Sequence, residues 1–253
     1  MNLQLDGALW LLLLIVPLLG LQRGVHYEIH AILLLTIRRS DIVAVVFSVL
    51  FLPGVFVHEM GHFLVARLLG VRTGRFSILP QQMGNGRLQL GYVETAPSDV
   101  LRDSLIGAAP LIFGALAVTL LARYFLGFDL FVDVLVKGDW DGLVPALKNI
   151  YGMPDFWLRF YLLFSISSTM LPSESERKAW LPLALVMIFL LIFGLLLGMG
   201  PWLLQNVAPG LNATLRALAL VFGVSISVHL LLLVPLTILR RMLSSMTGMR
   251  VQA

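Results

Sequence analysis

The chain has 253 residues, of which 58% are hydrophobic and 13% are charged, and it contains no cysteine. An ordinary soluble domain carries about 25% charged residues, so this composition excludes such a domain and indicates a polytopic membrane protein. The net charge of +4 is attributed to the orientation of loops rather than to nucleic-acid binding. Without cysteine, only nitrogen and oxygen atoms can hold a metal.

Long apolar stretches predict about six transmembrane helices, because roughly 20 apolar residues are needed to cross a bilayer. The fourth stretch is short and ends at Pro172. The first stretch lacks a basic start and a small-residue cleavage site, so we expect it to be retained rather than removed as a signal peptide. The predicted helices cover residues 8–21, 42–70, 104–125, 156–171, 179–199 and 211–239.

A mixed stretch, residues 22–41, lies between the first two predicted helices. Its apolar part, residues 31–37, is too short to span a membrane, and we expect an interfacial strand or a short re-entrant segment there. The second helix is predicted to begin with Asp41 as its N-cap, to be kinked at Pro53 and to end at Gly70.

The second predicted helix carries the sequence HEMGH at residues 58–62. His58 and His62 are four residues apart, so on a helix both imidazoles project from one face and can bind a single metal. Glu59 can reach a water bound to that metal, and zinc hydrolases combine two such ligands with a general base. An alternative is that the histidines only bond carbonyl groups at a helix end. However, a glutamate between two histidines is costly to bury in an apolar stretch without a function.

The segment after this helix, residues 71–95, consists of short runs punctuated by glycine. The pair Asn85-Gly86 lies between two strand-like runs, which is a strong hairpin signal. We therefore predict a small membrane-associated β-hairpin, whose free edge could pair with an extended peptide. The predicted fold is an all-α polytopic membrane protein with about six transmembrane helices and this hairpin.

The identity of a third metal ligand is open from the residues alone. Catalytic zinc usually has three protein ligands and a water, and a carboxylate is the natural candidate here. Glu174 and Glu176 follow the short fourth helix, at the membrane face where the motif lies, so both are candidates. Asp6 is more simply a helix cap, and His229 is expected to bond a neighbouring helix.

The basic residues favour one orientation of the chain. If the turn after the metal-motif helix is cytoplasmic, nine of the 18 basic residues lie on that side, and the acidic loop 127–155 lies outside. This predicts a multi-pass protein of the cell membrane with its active site near the cytoplasmic face. Arg38 and Arg39 do not fit this arrangement. The residues that do fit are Arg72, Arg75, Arg87, Arg102, Arg177, Lys178, Arg240, Arg241 and Arg250.

The stretch from Phe56 to Arg67 resembles the motif helix of the site-2 protease family of intramembrane zinc metalloproteases. Further features match in order over residues 42–180: the glycine-punctuated hairpin, a Gly-x-x-Pro helix start at residues 107–110, and a Leu-Pro turn at residues 171–172. The family typically has an asparagine ahead of Leu-Pro and an Asp-Gly after it, and this chain has neither.

The resemblance implies a protease that uses Zn2+ held by His58, His62 and Glu176, with Glu59 as the general base. Glu176 lies nearest to the position of the family's aspartate. Ser168 and Thr169 stand where the family has its asparagine, and they are the implied substrate-binding residues. The implied partners are single-span membrane proteins that unwind before cleavage and the lipid bilayer, with no nucleic acid.

The predicted domains are an N-terminal helix with an interfacial segment (1–41), a metalloprotease core (42–180) and C-terminal helices with a basic tail (181–253). Two other functions are open: a zinc-binding but inactive membrane scaffold, and a membrane-anchored zinc protease that acts at the cytosolic face in quality control. A transporter is less well supported, because the sequence has no internal repeat.

Overall fold

The computed structural model describes residues 6–82, 88–128, 133–134 and 137–249. A π-helical turn, Leu121–Phe125, continues helix α3, and a 3-10 turn, Glu176–Ala179, leads into α6. The strands are β1 (Thr73–Ser77), β2 (Gln81–Gln82), β3 (Leu88–Gln89) and β4 (Tyr92–Thr95). The helices are α1 (Asp6–Ile37), α2 (Ser40–Leu68), α3 (Val100–Leu120), α4 (Leu143–Tyr151), α5 (Phe156–Thr169), α6 (Trp180–Leu196), α7 (Gly200–Asn206) and α8 (Ala208–Thr247).

Five helical segments of the described residues are long and apolar enough to cross a membrane. This finding confirms the prediction of an all-α polytopic membrane protein. The predicted count of about six is higher because it included α5. That helix has 14 residues and spans only about 21 Å, whereas the hydrocarbon core is about 30 Å thick. The five segments are Asp6–Ile37, Ser40–Leu68, Val100–Phe125, Glu176–Leu196 and Ala208–Thr247.

Helix α1 is continuous over 32 residues, so the prediction of a strand or re-entrant segment at residues 31–37 is wrong. Two polar residues of this stretch have partners in other helices. Nε2 of Gln22 donates to the carbonyl of Ser167 at 2.8 Å, and Glu28 pairs with Arg240. These partners satisfy the polar groups, so the helix continues through them.

Helices α1 and α8 lie side by side and run in the same direction. Near the start of both, Asp6 accepts a hydrogen bond from Nε of Arg216 at 2.7 Å. Farther along both, Glu28 accepts one from Nε of Arg240 at 2.5 Å. Asp6 is therefore tied to α8 and lies outside the group of candidate metal ligands. Two ion pairs thus join α1 to α8 at widely separated positions.

Pro53 interrupts the hydrogen bonding of α2, and α5 supplies the missing partners. The N–H of Gly54 and the carbonyl of Leu50 would bond each other in an unbroken helix. Here the Gly54 N–H donates to Oγ of Ser165, and the hydroxyl of Tyr161 donates to the Leu50 carbonyl, both at 3.0 Å. A Cβ atom at Gly54 would overlap the Ser165 backbone, so glycine is required for this close approach.

The ends of α2 agree in part with the predictions. The helix begins at Ser40, and Asp41 lies in its first turn, where it pairs with Arg39 at 2.6 Å; it is therefore not the N-cap. Gly70 ends the helix with a φ of +71°, as predicted, and the following N–H of Val71 bonds back to Ala66 at 2.8 Å.

Helix α3 begins at Val100, four residues before its predicted start, because Asp99 caps it. The Asp99 side chain accepts from the backbone N–H of Arg102 at 3.0 Å, and this hydrogen bond holds the pKa of Asp99 below its usual range. Small residues on α3 allow close contacts. Gly114 packs against Met170, and Gly107 packs against the turn after α5.

Strands β1 and β4 pair antiparallel, as do β2 and β3. Phe76 lies opposite Val93 in the first ladder, and Gln82 lies opposite Leu88 in the second. The residue pairs of the second ladder continue those of the first with almost no shift. The two ladders are therefore arranged as one antiparallel hairpin. The predicted turn at Asn85-Gly86 lies outside the described residues.

Helix α6 and the loop after α3 lie beside the other helices. Of the residues of α6, only Gly194 is buried, so this apolar helix is exposed along its length. The acidic loop after α3 contains α4, which buries Ala146 and Ile150 on one side. This one-sided burial makes α4 amphipathic.

Candidate metal centre

Two histidines of α2 and a glutamate after α5 meet at one point. Nε2 of His58 lies 3.1 Å from Oε1 of Glu176, and Nε2 of His62 lies 2.9 Å from the same oxygen. The candidate ligand atoms of the three residues all lie within 4.8 Å of one another. The four-residue spacing on α2 therefore produces the shared face that the motif predicted.

Backbone carbonyls orient both histidine rings. Nδ1 of His58 lies 2.7 Å from the carbonyl oxygen of Thr169, and Nδ1 of His62 lies 2.8 Å from that of Ile106. A carbonyl oxygen only accepts hydrogen bonds, so each Nδ1 carries a proton and donates it. In a neutral ring the lone pair is then on Nε2, the atom that faces Glu176. Histidines that bind metal usually donate their other ring N–H in this way.

These contacts bring three electron-rich atoms together: two Nε2 atoms and one carboxylate oxygen. Such atoms repel one another at about 3 Å unless a cation lies between them. Two imidazoles and a carboxylate are a donor set that suits zinc, and ligand atoms around tetrahedral zinc are about 3.3 Å apart, given bond lengths of about 2.0–2.2 Å. The three side chains therefore fit a bound metal ion.

The turn between α5 and α6 carries Glu176 to the histidines. The second carboxylate oxygen of Glu176, Oε2, accepts a hydrogen bond from the backbone N–H of Ser173 at 2.5 Å. A Cβ atom at Gly107 would lie 2.5 Å from the backbone carbonyl oxygen of Glu176, so glycine at this point of α3 lets the turn approach. Glu174, the other predicted candidate, is exposed and is not one of the three clustered residues.

Glu59 lies next to the histidines and is 7% exposed. The chain between β3 and β4 passes directly over it. A Cβ atom at Gly91 would lie 2.8 Å from Cγ of Glu59 and 2.7 Å from Cγ1 of Val55. Gly91 therefore allows the backbone to form a wall of the site against the Glu59 side chain.

A cavity of about 1030 Å³ opens onto this group. This volume is at the upper end of the roughly 300–1,000 Å³ of ordinary ligand pockets. Its walls come from α2, the end of the hairpin, the start of α3, the end of α5 and the Glu176 turn. The polar residues that line it include His26, His58, Glu59, His62, Asp103, Ser168, Thr169, Glu176 and Lys178.

The two predicted substrate-binding residues line the cavity in different ways. The hydroxyl of Thr169 bonds the carbonyls of its own helix, at Ser165 and Ile166, while its carbonyl holds His58. Oγ of Ser168 lies 2.9 Å from Nε2 of His229, which confirms that His229 bonds a neighbouring helix. Only Ser168 therefore turns its hydroxyl away from its own helix.

Several contributors to the site were not predicted from the sequence. The carbonyls of Thr169 and Ile106 belong to the backbone, so no residue type identifies them. His26 lines the cavity although it lies on α1, and its Nε2 is buried without a hydrogen-bond partner in the described part of the chain. Gly107 supports the Glu176 turn through its lack of a side chain.

Comparison with known families identifies the segment that carries the motif. Residues 46–88 match the model of peptidase family M50, the site-2 protease family. The match covers the motif part of α2 with β1 and β2, and it confirms the resemblance of the motif helix. It supports a membrane metalloprotease at the level of the family. No curated protein and no solved structure matches the chain.

Proposed function

We propose that this chain, whose motif segment matches peptidase family M50, is an intramembrane zinc metalloprotease that hydrolyses a peptide bond of a membrane-spanning substrate. The observation that carries the proposal is the convergence of His58, His62 and Glu176, with both Nδ1 atoms bonded to carbonyls. This arrangement leaves two imidazole lone pairs and a carboxylate directed at one point. We assign these three residues as the metal ligands.

Glu59 is the proposed general base. When bound, zinc would polarise the scissile carbonyl and lower the pKa of a coordinated water from about 15.7 towards about 7. Glu59 faces the same cavity beside the ligands, so its carboxylate can take a proton from water and later give it to the leaving amine. Its burial under Gly91 keeps this carboxylate away from bulk solvent.

The substrate is proposed to enter the cavity as an extended chain. A helical segment shields its own peptide bonds, so it must unwind locally before cleavage, and the exposed backbone groups then need new partners. The antiparallel strands beside the cavity could supply such partners at an edge. Among side chains, we assign the substrate contact to Ser168 rather than Thr169, because the Thr169 hydroxyl bonds its own helix.

Replacement of Glu59 tests the reaction directly. We expect Glu59→Gln to lower the cleavage rate of a single-span substrate by about 10³-fold, the scale of general acid–base catalysis, while metal content is unchanged. Bound zinc would be measured on the same purified protein. Cleavage by Glu59→Gln at the wild-type rate would overturn the mechanism. Zinc binding with no cleavage by the wild-type protein would instead favour an inactive scaffold.

We also propose that the site lies near the cytoplasmic face, on the basis of the basic residues that follow α2. Because the chain has no cysteine, a single Arg72→Cys substitution provides a specific label site at an exposed position. A membrane-impermeant thiol reagent should label it in inverted vesicles and not in intact cells. The opposite labelling pattern would place the site at the outer face.

A further inference from the structure

We propose that His229 is a positioning residue that holds the Ser168 hydroxyl, so that the Ser168 oxygen accepts a backbone N–H of the substrate. The inference rests on the proposed protease function, because it specifies how the same cavity recognises an extended peptide. It is carried by the hydrogen bonds around these two residues and by their places in the bundle.

Ser168 differs from several hydroxyl residues of the described helices. A hydroxyl in an apolar helix commonly donates to a carbonyl of the preceding turn. Several residues of this chain follow that pattern, namely Ser48, Thr119, Ser225 and Ser227. Ser168 instead bonds His229 on α8.

The direction of this hydrogen bond follows from the second nitrogen of His229. Nδ1 lies 2.7 Å from the carbonyl oxygen of Ser225, and a carbonyl only accepts, so Nδ1 carries the proton. Nε2 of the neutral ring then has the lone pair and accepts from the Ser168 hydroxyl. His229 is completely buried, and its ring centroid lies 5.5 Å from that of Phe164.

The Ser168 oxygen consequently keeps lone pairs that can accept a hydrogen bond. Its single proton is used by His229, and its remaining lone pairs are on a residue that lines the cavity. The next residue, Thr169, orients His58 through its carbonyl, so the acceptor lies close to the metal ligands. An unwound peptide presents one N–H per residue, and each needs a partner away from water. The Ser168 oxygen therefore suits a peptide N–H and rejects a peptide carbonyl.

The test measures binding and does not require turnover. A synthetic single-span peptide is prepared as a series in which each backbone N–H in turn is replaced by an ester oxygen, and its dissociation constant is measured with Glu59→Gln protein. We expect one ester position to weaken binding about tenfold, the scale of one neutral hydrogen bond. That ester and its parent amide should bind equally once Ser168→Ala or His229→Leu is added.

Conservative variants separate positioning from general damage to the structure. His229→Gln offers an oxygen that accepts from Ser168, so it should restore the preference for the amide. Ser167→Ala and Ser227→Ala remove hydroxyls that bond only their own helices and should leave the preference unchanged. If His229→Leu does not fold, Ser168→Ala tests the acceptor and His229→Gln tests the positioning role, which loss of the amide preference in that variant would contradict.

The outcomes distinguish this inference from the proposed function. No ester-sensitive position, or a sensitive position that persists in Ser168→Ala, overturns the role of Ser168. A preference that survives His229→Leu overturns the role of His229. Loss of the preference in these variants, together with equal cleavage by wild-type and Glu59→Gln protein, would overturn the catalytic mechanism and leave the binding inference standing.

Discussion

Helix α5 bonds α2 through hydroxyls and backbone groups, whereas α8 bonds α1 mainly through two ion pairs, beside one hydrogen bond from the Gly7 N–H to Asn212. At the first contact, Tyr161 and Ser165 bond the backbone of α2 beside Pro53. At the second, Glu28 and Arg240 form an ion pair of which the glutamate side chain is 8% exposed. Hydrogen bonds to backbone groups are directional, so they set the orientation of one helix against the other. Ion pairs are less directional, and they mainly determine which helices lie side by side. We therefore expect changes at the first contact to alter the site, and changes at the second to alter stability.

The largest expected effect is on metal binding at the site beside α2 and α5, and it comes from removal of the candidate ligand Glu176. Loss of an outer-shell partner of a metal ligand costs 10–100-fold in metal affinity, so Glu176→Ala should weaken zinc binding by at least about 100-fold and abolish cleavage. Metal content after dialysis against graded chelator measures this. Glu174→Ala is the matched control two residues away and should keep the wild-type affinity. Equal affinities of the two variants would remove Glu176 from the ligand set.

Breaking the ion pair between α1 and α8 should mainly lower stability. Arg240→Met leaves the Glu28 carboxylate buried without its partner, at a cost of about 3 kcal/mol in the free energy of unfolding. Addition of Glu28→Gln removes the stranded charge and should recover most of that loss. Denaturant unfolding in detergent measures both, with exposed Arg241→Met as the control. A large loss of zinc affinity in folded Arg240→Met protein would contradict the division between the two regions.

The smallest expected effect comes from one hydroxyl at the proline break. Tyr161→Phe removes the partner of the Leu50 carbonyl and should destabilise the protein by about 1 kcal/mol, the net contribution of one hydrogen bond. Exposed Tyr151→Phe should have no effect. Because Leu50 precedes the motif by two turns, we expect the catalytic rate of Tyr161→Phe to fall more than that of Arg240→Met, each measured per folded molecule. The reverse order would show that α5 does not support the site.

The sequence predicted those features that depend on local spacing. The histidines at positions 58 and 62 share a face because of helix geometry, Gly70 ends α2, and the strands after it pair antiparallel. Features that depend on distant partners were not predictable. Residues 22–37 are helical because Gln22 and Glu28 find partners 145 and 212 positions away.

The candidate site follows the same rule. The motif identified His58, Glu59 and His62 directly. Residue type and position alone did not distinguish Glu174 from Glu176 as the third ligand. The structure separates them through the path of the turn, which depends on the lack of a side chain at Gly107. The carbonyls that orient the histidine rings belong to the backbone, which every residue has. Residue type therefore cannot predict them, and they are identified only in the folded structure.

The proline break in α2 also determines where the site can flex. An interrupted helix is an obvious hinge, but here α5 bonds both sides of the interruption, and in the next turn the Thr169 carbonyl holds His58. These three hydrogen bonds tie the motif part of α2 to α5. Spreading the two helices to admit a substrate would also turn the His58 ring. We therefore expect opening at the other walls of the cavity, where Gly91 covers Glu59 and the Glu176 turn leads into the exposed helix α6.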